Sequence, residues 1–272
     1  MARARLAGRA LVGAPLVAVF ALAALAGPWV APYDPRAVDL SEELCPPSFA
    51  HWLGTADNGV DVLSVLLDGA RLAGTVSALT VALSLVLGAL LGGGAAYAGG
   101  YLAHLVARLT DGVQALPALL LNLAVLALAA RPGVAHMVVA LCLTGWVPYA
   151  RVARAEVLRL REREFVQAAR ALGASPARVF LRHVLPNALG PLVVQATFGL
   201  GGAVLAEASL SYLGLGPGAA ASWGALLDQG TAHLLRAPRL AFTAGTAIAL
   251  TVLGFNLLGD GLRDRLDPRE RH

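Results

Sequence analysis

The sequence contains no lysine: all 21 of its cationic side chains are arginine. A phosphate-binding P-loop closes on Gly-Lys-Ser/Thr, with the ammonium reaching the nucleotide phosphates, so this chain cannot build one. Any step driven by nucleotide hydrolysis must be housed on another polypeptide. Charge as a whole is scarce, 14% of residues against 57% hydrophobic, where soluble domains carry roughly 25%. Several runs of 18 or more residues hold no charge at all, which excludes an ordinary soluble domain and places the chain in lipid.

Cysteine is nearly absent. Cys45 lies in a polar loop and Cys142 inside an apolar span, so no disulfide between them is expected. The six histidines never fall one helical turn apart, and no structural metal is expected. No Gly-x-Ser-x-Gly elbow occurs, and His136, the one histidine well inside an apolar span, has no acid nearby, which argues against an intramembrane hydrolase.

What the chain has instead is a series of apolar runs. Leu11 to Val30 follows Arg3, Arg5 and Arg9 as a secretory signal would, but it lacks a small-residue cleavage site before Pro28 and Trp29. At 20 residues it is long enough to span, and it reads as a retained first helix. A polar stretch then carries Pro32, Pro35, Pro46 and Pro47 with seven acids from Asp34 to Asp68, the composition of an extramembrane loop. Leu72 to Ala103 is uncharged over 32 residues. The expected span is Leu72 to Tyr97, with Gly92, Gly93, Gly94, Gly99 and Gly100 allowing close approach of a neighbouring helix or ending the span. A third span, Val113 to Ala130, and a fourth, Val134 to Ala150, are separated by the turn Arg131-Pro132-Gly133. A fifth runs from Ala188 to Leu213 and a sixth from Leu240 to Leu258.

The fold class is therefore all-α, a polytopic membrane protein of about six transmembrane helices. The chain divides into a tail and first helix (1–31), an external loop (32–71), a core of five further helices (72–262) containing a polar segment (151–187), and a second tail (263–272). With the N-terminus inside, 16 arginines lie at inner span ends against five outside. Positive residues stay on the cytoplasmic side, so both termini and the polar segment are expected there. The net charge of +4 follows from this sorting and is not read as nucleic-acid binding.

Within the polar segment, which holds eight arginines and three glutamates, Phe165, Ala168, Ala169 and Leu172 fall at i, i+3, i+4 and i+7. Arg161, Glu162, Arg163, Gln167 and Arg170 fill the other faces, a short amphipathic helix. Gly173 stops it as a left-handed cap, Ser175 and Pro176 start a second helix, and Leu185, Pro186 and Asn187 end that piece as the chain re-enters the membrane. From the pattern alone, the apolar stripe either lies on lipid or docks in the groove of a soluble partner.

Three further groups stand out. Glu207 is the one acid in the fifth apolar span; it either lines a pathway or pairs across an interface, or it reaches the outer headgroups. Asn122 faces a helix neighbour or a pore. Asp111 and Asp260 read as interfacial, and Trp29, Trp146 and Tyr149 as interfacial anchors.

The run Gln167-Ala168-Ala169, Gly173 and then Leu185-Pro186 resembles the EAA signature of binding-protein-dependent ABC importer permeases. Residues 161–187 are similar to the dipeptide, oligopeptide and nickel branch, as are His51-Trp52-Leu53-Gly54-Thr55, Ala206-Glu207-Ala208-Ser209-Leu210-Ser211 and Phe255-Asn256-Leu257-Leu258-Gly259-Asp260. The likeness covers nearly the whole chain and is greatest to the second of the two permease subunits. It implies a type I importer permease in the inner membrane, with no enzymatic activity of its own. It implies a second homologous permease, two cytoplasmic ATPases that bind ATP and Mg, and an external solute-binding protein as partners. The cargo implied is a di- or oligopeptide, with nickel or another small solute as the alternative; a passive channel or membrane scaffold is the reading from a different class. The residues that would couple to the ATPases are Phe165, Gln167, Ala168, Ala169, Leu172, Gly173, Leu185 and Pro186. Two positions depart from the pattern: Gln167 replaces the usual glutamate, and the outer-loop Gly-Arg-Asp reads Gly59-Val60-Asp61.

Overall fold

The computed structural model describes residues 2–217 and 221–266 and is built of helices. In chain order they are α1 (Ala2–Val30), α2 (Val62–Gly88), α3 (Gly94–Ala98), α4 (Gly100–Gln114), α5 (Ala118–Ala127) and α6 (Val134–Leu160), then α7 (Glu164–Ala171), α8 (Pro176–Val179), α9 (Leu185–Tyr212), α10 (Trp223–Ala232) and α11 (Pro238–Leu266). Single π-turns, Ala89–Gly93 and Phe180–Val184, join α2 to α3 and α8 to α9. Among the described residues four helical stretches are long and apolar enough to cross a bilayer: Val62–Ala98, Val134–Leu160, Pro176–Tyr212 and Pro238–Leu266. The apolar part of α1 is Leu11–Gly27.

Five features of these elements differ from those expected. The second span begins at Val62, not Leu72, because Asp61 caps it: the Asp61 carboxylate accepts from the Ser64 amide at 2.8 Å, so Asp68 and Arg71 lie within the helix. The third span is not straight. α4 and α5 meet at 83° across the Pro117 break, and α5 alone is ten residues, too short to cross. α6 continues ten residues past Ala150, its arginines projecting beyond the apolar part of the helix. The segment from Pro176 does not end at Pro186. The π-turn makes an i to i−5 bond from the Leu185 amide to the Phe180 carbonyl, and the helix resumes with Pro186 in its first turn, where a missing N–H costs nothing. α11 also runs to Leu266, past the expected tail boundary, and residues 267–272 lie outside the description.

The expected dual role of the glycines is divided between them. A Cβ at Gly92 would overlap the Ala150 backbone, so this glycine brings α2 and α6 together, whereas Gly99 at φ 73° turns the chain into α4. The core is centred on α2, α6 and α9. Val76, Met137, Leu141, Leu126 and Leu210 fill one part of it, and Phe20, Ala73, Val204, Trp223 and Phe255 join α1, α10 and α11 to it.

At the end of the bundle away from α7, the loop between α1 and α2 folds over the start of α11. Arg239 donates to the carbonyls of Leu44, Cys45 and Thr55 at 2.7–3.1 Å. His51 is buried under Tyr33, with Nδ1 2.9 Å from Asp61 Oδ1 and Nε2 2.8 Å from Glu42 Oε2. An imidazolium donates to both carboxylates, and the Asp61 hydrogen bond above all holds the His51 pKa above its ordinary value.

Candidate functional site: the segment between α6 and α9

The turn after α6 is fixed by backbone bonds: the Arg161 amide donates to Val157 O at 2.9 Å and the Arg163 amide to Leu160 O at 3.0 Å. α7 then runs for two turns and stops in a Schellman arrangement. Gly173 N–H donates to Arg170 O at 2.9 Å and Ala174 N–H to Ala169 O at 3.1 Å, with Gly173 at φ 80°. Ser175 caps α8, its Oγ accepting from the Arg178 amide, with Pro176 in the first turn.

The expected apolar stripe is split between two faces. Val166 is fully buried and Ala169 half-buried, packed with Ala96, Val157, Leu160, Val179, Phe180 and Val184 into a small core of this chain's own. Ala169 thus faces inward, where the stripe reading had set it toward a partner. Phe165, Ala168 and Leu172 face out, and Leu172 is 89% exposed. Gln167 is also exposed, its Nε2 donating to Glu162 O at 3.1 Å; Leu185 packs inward, and Pro186 is exposed at the start of α9.

Two arginines reach α3, Arg170 from α7 and Arg161 from the end of α6. Arg170 stands 5.2 Å over the Tyr97 ring and its Nε donates to the Tyr97 hydroxyl at 3.3 Å, while Arg161 donates to Ala96 O at 3.4 Å. Neither Val166 nor Tyr97 had been singled out in the sequence. The spacing Val166, Ala169, Gly173 was the available signal for the inward face. The result is a two-helix projection packed on α3 and α6, with Phe165, Ala168 and Leu172 exposed on its outer side beside Glu162, Arg163 and Gln167.

The other singled-out residues lie elsewhere. Glu207 is fully buried within the bundle, reaching no headgroup, and Ser211 Oγ donates to its Oε1 at 2.8 Å. Asn122 Oδ1 accepts from Thr144 Oγ1 at 3.3 Å and lines a cavity between α2, α5, α6 and α9. Asp111 pairs with Arg151 at 3.0 Å. Trp29 is exposed, but Tyr149 is 3% exposed and belongs to the core, not to an interfacial belt. His136 sits in the first turn of α6, its Nδ1 accepting from the Gly133 amide, and not deep in a span. Cys45 is half-buried in the folded loop and Cys142 buried in α6, both as free thiols.

Residues 84–272 match the binding-protein-dependent transport system inner membrane component family, whose matched region contains this entire projection. The chain belongs to that family. Residues 8–47 also match the N-terminal transmembrane domain of oligopeptide transport permease C. The permease is 38% identical over 261 residues to a dipeptide transport system permease protein of Alkalihalophilus pseudofirmus, covering 96% of this chain and 86% of the relative. It is 37% identical over 264 residues to an oligopeptide transport system permease protein of Bacillus subtilis, at 96% and 86% coverage. A nickel transport system permease protein of Escherichia coli is 38% identical over 255 residues, at 93% and 91% coverage. The protein is thus a multi-pass permease subunit of an ABC importer, a transport component and not an enzyme.

Proposed function

We propose that this permease imports a short peptide, a dipeptide or oligopeptide, by alternating access. It does so paired with a second, homologous permease subunit and driven by two separate ATPases that hold ATP and Mg. A solute-binding protein delivers the peptide on the outer side. Both termini and the α7–α8 projection are cytoplasmic, following the arginine distribution. The observation that supports the coupling role is the exposure of Phe165, Ala168 and Leu172 on a projection packed against α3 and α6. Closure of the ATPases moves such a projection as a unit, and the π-turn at Phe180–Val184 passes the movement into α9. Gln167, at the first position of the signature, takes part through hydrogen bonding rather than charge. Gly173 sets the angle between α7 and α8, while Leu185 and Pro186 set the entry into α9.

Peptide cargo rests on the peptide permeases among the relatives; the nickel permease, similar over a comparable length, keeps nickel as the second reading. Proteoliposomes holding the complete assembly distinguish them. ATP-dependent uptake of a radiolabelled dipeptide in the presence of the binding protein is expected. Uptake of nickel without dipeptide would transfer the cargo to the metal, and uptake of either without ATP would point to a channel.

A further inference from the structure

The cavity beside Asn122 has a volume of about 200 Å³ and is lined from four helices: Thr80 and Ser84 on α2, Asn122 on α5, Thr144 and Tyr149 on α6, and Gln195 on α9. None of its lining residues is charged. Thr80, Ser84 and Tyr149 are among the lining residues, each at least 95% buried, and the hydroxyl of each has no hydrogen-bond partner among the described residues. Within a bilayer a buried unpaired hydroxyl is costly, roughly 1–3 kcal/mol, and three at one place are retained against that cost. The rim is open: Gln195 and Thr144 are half-buried, Gly202 is exposed, and a Cβ at Gly202 would meet nothing within 4 Å. Glycine is needed at 199, because a Cβ there would overlap the Tyr149 hydroxyl.

Resting on the reading of this chain as a peptide permease, we infer that this pocket is a binding site on the transport route for the uncharged amide groups of a peptide. The hydroxyls and carboxamides supply both donors and acceptors, as an N–H and a C=O require. The pocket holds no carboxylate, imidazole or thiolate side chain among its lining residues, so it suits neither a divalent cation nor a peptide's charged ends. The small lining residues Gly199, Gly202, Ala203 and Ala206 leave room for a main chain with small side chains.

Three variants test the assignment in the complete assembly. Thr80→Val and Ser84→Ala keep the shape and remove unpaired buried groups, so they do not lower stability, yet each is expected to reduce uptake of labelled alanyl-alanine by roughly tenfold. Gly202→Leu projects into the open mouth, is favoured over glycine in a helix, and is expected to abolish uptake while co-purification with the ATPases persists. In a chain carrying Cys45→Ser and Cys142→Ala, Gln195→Cys at the half-buried rim should react with a small water-soluble thiol reagent, more slowly when alanyl-alanine saturates the assembly. Wild-type uptake of the dipeptide with all three variants within twofold of it overturns the pocket and leaves the peptide reading standing; so does a labelling rate that the dipeptide leaves unchanged. A wild-type assembly that imports nickel but no dipeptide overturns both.

Discussion

At the scale of single residues, the two faces of α7 make opposite demands. Leu172 is exposed and touches nothing that the fold needs, so Leu172→Asp should leave insertion and stability unchanged while abolishing retention of the ATPases in a pull-down. Val166→Ala opens the small core and should cost about 1–3 kcal/mol, loosening the whole projection and raising its protease sensitivity. Gly173→Val forces a β-branched residue to φ 80°, costing roughly 1–2 kcal/mol and misdirecting α8; reduced ATPase association with normal membrane insertion is the expected result. Gly173, Ser175 and Pro176 were legible because each has a local backbone reason to stand at a helix end. Ala169 and Tyr149 were misplaced because both are neutral, apolar-bodied residues, and only the position of a second helix decides which way they face.

At the scale of elements, the spans in α2, α6, α9 and α11 and the shorter apolar helix in α1 were visible as uncharged runs, since lipid leaves little alternative to a helix. Their ends were less legible: the arginine-rich turns of α6 and the Asp68–Arg71 turn of α2 stay helical because bonds within the helix extend beyond the apolar section. The 83° break at Pro117 was missed for a related reason: Leu-rich sequence continues across it, and hydropathy does not register an angle. The loop over α11 gives a further expectation. A raised His51 pKa means that His51 stabilises this loop fully below about pH 6.5 and loses that contribution as pH rises through its folded-state value. Protease resistance of residues 31–61 should therefore fall on alkalinisation in the wild type. His51→Gln should flatten that response.

At the scale of the whole molecule, the two free thiols test the proposed orientation: a membrane-impermeant reagent added to spheroplasts should label Cys45 and leave Cys142 unreacted, and protection of Cys45 would overturn that orientation. The central claim is that this chain converts nucleotide-driven movement on other subunits into transport, with no nucleotide chemistry of its own. ATP hydrolysis by the purified permease, measured alone and within the complete assembly, tests it most directly. The account predicts no turnover by the isolated chain and turnover stimulated by peptide-loaded binding protein in the assembly; hydrolysis by the isolated chain would contradict it.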